Sequence, residues 1–299
     1  MEDLLFSAVR LAVPILFLAI GGMVAEKAGV LNLGVEGLLL CTALAAAFGA
    51  EASGAVGGIV LSLAVGLVYM AVVAVATVIV RADQIVTGLA LNVAAIGVTG
   101  FVFRSSFGSG QNFERIGVLH LPFLDSVPFL RIPFRQSLLV YALVVLSVLV
   151  AWVLYRTRAG LCVRAVGDAP AAVDSQGVSV TRVRVQALLF AGFMGGLAGS
   201  YLVLVETGRF VENMSGGRGF LAIAAIVLGG WRLFGVVGAC LLFGLGQALQ
   251  FQLPAMGIDA PNQLWLALPY VLALAAITAL PQRASAPAAL LRPFVRGER

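Results

Sequence analysis

Four side chains with chemistry to offer share one short piece of an otherwise apolar chain: Glu26, Lys27, Asn32 and Glu36, within "AEKAGVLNLGVEG". Two carboxylates, an ammonium and an amide can hydrogen-bond a polar ligand, hold a charge or brace a neighbouring subunit. They can also form a membrane-surface turn, with Glu26 and Lys27 in water. An ionisable group at mid-bilayer costs about 2.5–3.5 kcal/mol. Three of them beside Asn32 offset the insertion gain of roughly six or more Leu-type residues. The piece therefore faces protein, a watery cavity or the interface, and not lipid. A second patch, "ETGRFVENMSGGRG", carries Glu206, Arg209, Glu212, Asn213 and Arg218. Asn92, in "TGLALNVAAIG", is a further polar residue deep in an apolar run. Helix–helix hydrogen bonding and substrate contact both suit it.

Enzymatic readings fail on residue types. The only histidine, His120, excludes the two-histidine zinc motif, and there is no G-x-S-x-G elbow. The only lysine, Lys27, is followed by alanine, so the chain has no Walker A loop. If ATP drives it, another subunit supplies the ATPase. Cys41, Cys162 and Cys240 are scattered, without metal or redox spacing. No catalytic residue and no metal site are expected.

The elements that must position these residues are membrane helices. Of 299 residues, 61% are hydrophobic and 11% charged, where a soluble domain carries about 25% charged. The net charge of +5 reads as positive-inside topology and not as nucleic-acid binding. "MEDLLFSAVR" lacks the basic start of a cleaved signal, so the first apolar run is expected in the mature protein. Runs 54–80, 84–103, 136–155, 185–205, 233–258 and 260–282 each suffice for a crossing, which needs about 20 residues. Runs 11–25, 38–50 and 219–231 are shorter. Arg10 can snorkel to lengthen the first; the other two read as broken or re-entrant helices. The expected fold is one all-α polytopic membrane domain over 1–299, with about 8–10 membrane segments. Gly192, Gly196 and Ser200, with Gly195 and Gly199 alongside, mark a helix whose backbone neighbours can approach closely.

Charge and parity orient the chain. Segment 156–184 and tail 283–299 are arginine-rich and expected to be cytoplasmic, which leaves 104–135 outside. Within "RTRAGLCVRAVGDAPAAVDSQGVSVTRVR", Asp168 suits an N-cap, Pro170 the first turn and Gly177 the C′ position. This frames a helix over 169–176, either a docking knob for a cytoplasmic partner or a plain surface helix. A short apolar run follows a polar patch in each half, a layout that points to a transport path.

"AEKAGVLNLGVEGLLL", "ADQIVTGLALNVAAIGVTGF", "RTRAGLCVRAVGDAPAAVDSQGVSV" and "GGRGFLAIAAIVLGGW" together resemble the permease subunits of bacterial ABC importers. The likeness runs over residues 19–235 and favours the nucleoside/simple-sugar branch, related to ribose and branched-chain amino acid permeases. It implies a multi-pass protein of the bacterial cytoplasmic (inner) membrane that binds no cofactor itself. ATP and Mg would sit on a cytoplasmic ATPase subunit, and an extracytoplasmic binding protein would deliver the ligand. A second, related permease would complete the path as a heterodimer. Gly160, Arg164, Gly167, Asp168, Pro170 and Gly177 match the family's ATPase-coupling segment, with Ala169 where relatives often carry Asn. Glu26, Asn32, Glu36, Asn92, Glu212 and Arg218 are expected to shape the path or brace the second permease. Nucleosides are the expected substrate, with ribose-like sugars or branched-chain amino acids as alternatives. A self-sufficient secondary transporter is disfavoured, because ionisable residues are nearly absent from the clear spans.

Overall fold

Without water to pair with, a backbone inside the bilayer satisfies its own N–H and C=O groups, and apolar runs become helices. The computed structural model describes residues 2–106, 115–120, 135–255, 261–279 and 286–295. Its helices are α1 (Glu2–Lys27), α2 (Val35–Ala74), α3 (Gln84–Ser106), α4 (Leu138–Arg156), α5 (Arg158–Asp168), α6 (Pro170–Ser175), α7 (Val180–Tyr201), α8 (Arg218–Leu228), α9 (Leu233–Ala255) and α10 (Asn262–Ala279). Short π-helical turns, Val75–Ile79 and Leu202–Thr207, extend α2 and α7. Strands β1 (Val118–His120) and β2 (Arg135–Ser137) pair antiparallel, with Leu119 opposite Gln136.

Among the described residues six helices are long and apolar enough to cross a membrane, and one of them, α2, is two arms. At Ser53 (φ −150°) and Gly54 (φ 72°) the helix breaks and the chain doubles back. Ser62 Oγ then lies 2.9 Å from the Thr42 carbonyl. Counting both arms and the two shorter apolar helices gives nine membrane segments among the described residues. Run 38–50, expected from its length to be a broken or re-entrant helix, is the first arm of a helix that breaks at Ser53 and Gly54. The helix continues past Glu36 and Glu51, the charges that made the apolar run look short, and its first arm (35–52) is about 27 Å long. Helix α8, by contrast, has 11 residues, about 16 Å, half a hydrocarbon core. There the broken-helix reading stands. Helix α1 extends past run 11–25 at both ends to a full span.

Helix α7 sits against α1 and both arms of α2, and its small residues explain how. Gly195 and Gly199 face Leu38 and Thr42 on the first arm, while Gly192 and Gly196 face Gly66 and Leu63 on the second. A Cβ at any of the four would collide with these neighbours. Close backbone contact of this kind holds helices together where lipid removes the hydrophobic drive. Ser62 Oγ also lies 2.7 Å from the Gly196 carbonyl, so one hydroxyl bridges three helical segments. The large apolar side chains left exposed, among them Val60, Val68, Val93, Phe101, Val145 and Val148, face outward from α2, α3 and α4, as lipid contact requires.

Tail and loop meet at one end, where the Ala289 N–H donates to the Gly167 carbonyl at 2.8 Å. At the opposite end Arg10 donates to the carbonyls of Val205 and Glu206, and the Ile116 N–H donates to that of Leu204. The start of α1 thus lies at the end opposite the arginine-rich loop and tail.

Candidate functional site

Residues 28–34 are the non-helical link between α1 and α2, and every buried polar group of the link needs a partner. Asn32 Oδ1 accepts from the Gly34 N–H at 2.8 Å, an Asx-type turn. Tyr69 OH donates to the Gly34 carbonyl at 2.8 Å. Gln84 Oε1 accepts from the Leu31 N–H at 2.8 Å. Asn92, reaching in from α3, works in both directions. Its Oδ1 accepts from the Gly37 N–H and its Nδ2 donates to the Leu33 carbonyl, each at 2.7 Å. The amides expected to shape a path are thus committed to the backbone of the link.

Glu36 closes the junction. Its two carboxylate oxygens accept from the N–H groups of Gly217 and Gly219, each at 2.7 Å. These are first-turn N–H groups of α8, which have no intrahelical acceptor, and a carboxylate there also meets the positive end of the helix dipole. Two helix starts, α2 and α8, therefore meet inside the bundle. Gly219 makes this possible, because a Cβ would strike the Glu36 backbone. Just past the other end of α8, Trp231 Nε1 donates to the Glu26 carboxylate at 2.6 Å, and Glu26 is 2% exposed. Toward the outside, Arg218 grips Glu206 with two bonds of 2.6 and 3.1 Å; both side chains are nearly buried. Glu212 lies apart, exposed and paired with Arg104 at 2.9 Å. Five of the six residues expected at the path thus gather around α8 and the link. Glu212 does not join them.

Segment 156–184, expected to be cytoplasmic, holds two short helices, not one. Asp168 is not the N-cap of 169–176. It is the last residue of α5, and Ala169 caps α6 without a side-chain bond. Gly160 and Gly167, expected in the coupling segment, lie on the packing face of α5: Gly160 abuts the backbone of Leu154, and Gly167 that of Lys27. Pro170 takes the first position of α6, as expected. Gly177, at φ +81°, ends it. Its N–H donates to Asp174 O and that of Val178 to Val173 O, the pair of bonds of a Schellman turn. Arg164 lies over the Tyr155 ring, 5.7 Å from its centre. No residue of α6 is fully buried, and the helix lies at the surface beside α5 and the start of α7.

Arg184 escaped the sequence reading. Counted as one more loop charge, it is 2% exposed and donates to the carbonyls of Ala28 at 3.2 Å and Arg292 at 3.0 Å. It ties the link, α7 and the tail together. Its spacing from the buried Ala187, Leu188 and Ala191, at i+3, i+4 and i+7, was the available signal.

Comparison with known proteins extends this picture. The profile of the family described as "Branched-chain amino acid transport system / permease component" matches residues 4–277. The guanosine ABC transporter permease protein NupQ of Bacillus subtilis is 33% identical over 96% of this chain and 95% of its own length. The nucleoside ABC transporter permease protein NupC of Lactococcus lactis subsp. cremoris is 32% identical over 92% of this chain and 91% of its own length. A second guanosine ABC transporter permease protein of Bacillus subtilis, NupP, is 27% identical over 79% of this chain and 71% of its own length. No solved structure matches the chain.

Proposed function

The chain belongs to the branched-chain amino acid transport system permease family, and from that membership we propose that it moves nucleosides as the permease subunit of an ATP-driven importer. Similarity over nearly the full length to permeases named for guanosine and nucleosides carries the substrate class. Two related guanosine permeases in one organism, both similar to this chain, support a second, non-identical permease as its partner. ATP and Mg belong to a separate ATPase subunit, since this chain has no Walker A loop. An extracytoplasmic binding protein delivers the nucleoside.

In this reading α6 is the contact through which ATPase motion enters. The two joints of α5, at Leu154 and Lys27, pass it to α4 and α1. Helix α1 continues into the link and, through Glu36, to α8. Helices that start inside the membrane at such a junction favour a binding path nearby. The chain itself performs no bond chemistry; it shapes a path and transmits force.

The test is reconstitution with the ATPase, the partner permease and the binding protein, measuring ATP hydrolysis stimulated by nucleosides, ribose-like sugars and branched-chain amino acids. Stimulation by nucleosides is expected. Stimulation by sugars or amino acids alone overturns the substrate class. Uptake by the chain alone, driven by an ion gradient, overturns the ATP-driven mechanism.

A further inference from the structure

An open cavity of about 850 Å³ lies at the cytoplasmic end, between α1, α4, α5 and the start of α9. Its charged lining is Lys27, Arg164, Arg232 and Asp168, a surplus of two positive charges. Among the described residues none of the four forms a salt bridge. Arg164, Asp168 and Arg232 all act electrostatically on the Lys27 ammonium. Grouping two arginines with a half-buried lysine, against the single carboxylate of Asp168, costs free energy unless a further anion joins them.

The aromatic part of the lining identifies the anion. It includes Tyr155 and Phe234, which are 42% and 85% exposed. Tyr155 ends an exposed stripe on α4 formed by Val145, Val148 and Trp152, the helical spacing of a lipid-facing side. Aromatic rings at the end of such a stripe sit at headgroup level. The cavity thus opens sideways toward the cytoplasmic leaflet, whose anionic lipids attract basic pockets between helices. We propose that it binds the phosphate headgroup of an anionic phospholipid, with Lys27, Arg164 and Arg232 as its donors. A lipid held there would wedge the base of α5 against α1 and α9.

The full-length permease in nanodiscs of phosphatidylcholine with a minor share of phosphatidylglycerol provides the test, with retained lipid counted by native mass spectrometry. Phosphatidylglycerol should be retained in preference to phosphatidylcholine. Lys27→Gln and Arg232→Gln should each lower that preference about 5-fold. Lys27→Arg should restore it, and Arg158→Gln, an exposed charge outside the cavity, should leave it unchanged. Melting in pure phosphatidylcholine separates loss of the site from loss of fold. Equal retention by wild type and variants overturns the proposal. So does displacement of the lipid by millimolar inorganic phosphate, which would make the cavity a site for soluble anions. Release of the lipid when the ATPase subunit docks also overturns it, since the cations would then belong to that contact.

Discussion

The Glu36 carboxylate and the Gly219 N–H lie 2.7 Å apart, although 183 positions separate them in the chain. With Gly217 as the second donor, Glu36 supplies from another helix the cap that α8 lacks in its own sequence, where Gly217 holds the N-cap position without a side-chain bond. Hydrogen bonds to a charged group are worth about 1.5–3 kcal/mol each, more where removal strands a buried donor. Glu36→Ala should therefore destabilise the permease by about 2–4 kcal/mol. Glu36→Gln keeps one acceptor oxygen but turns its NH2 toward the second N–H, so it should cost more than half as much. Melting in detergent should rank wild type, Gln and Ala in that order. Equal melting of all three would remove Glu36 from its capping role.

Arg218 and Glu206 form a nearly buried two-bond pair, with side chains 12% and 11% exposed. Removing one partner of such a pair leaves an uncompensated charge and costs about 3–5 kcal/mol, whereas replacing both with apolar groups of similar size is often near neutral. Arg218→Met alone should be severe. Arg218→Met combined with Glu206→Leu should recover most of the loss in a double-mutant cycle of unfolding free energies. Additive losses would show that the two charges act independently.

What the sequence revealed and what it hid follow one physical line. Gly177 was legible because a left-handed backbone position is a local demand on a single residue. The π-extended end of α7 and the second arm of α2 were legible as the long apolar runs 185–205 and 54–80. Helix α5 was not, because its buried face consists of Gly160, Val166 and Gly167. Two glycines on that face read as loop punctuation and masked an amphipathic helix, so Asp168 was taken for the start of the next helix when it ends this one. Arg184 was hidden for the opposite reason. A charge is read as solvated unless its partners are seen, and its partners are main-chain carbonyls that carry no sequence signature. The gathering of Glu26, Asn32, Glu36 and Asn92 around one junction could be suspected from polarity alone. That Glu36 caps α8 depends on the folding back of distant segments.

Asn92 offers a sharper test of whether the link is held from α3. Asn92→Ala removes an acceptor from the Gly37 N–H and a donor from the Leu33 carbonyl, for an expected loss of about 2–3 kcal/mol. Asn92→Asp keeps the acceptor but aims a second oxygen at the Leu33 carbonyl. It should melt no higher than the alanine variant despite its near-identical shape. A stable Asp variant would mean that only the Gly37 bond matters.

Gly177 separates coupling from folding. Its φ of +81° costs a β-branched residue about 1–2 kcal/mol, yet a Cβ there meets nothing within 4 Å. Gly177→Val therefore acts through the backbone alone, undoing the turn that ends α6 while leaving the membrane bundle untouched. Asparagine tolerates the left-handed region, so Gly177→Asn serves as the control of changed bulk with unchanged conformation. In the reconstituted importer, the Val variant should insert and melt within about 2 kcal/mol of wild type. It should continue to support basal ATP hydrolysis but lose most substrate uptake per ATP, while the Asn variant stays close to wild type. If Val and Asn variants transport equally well, helix α6 is not the element through which ATPase motion reaches the membrane.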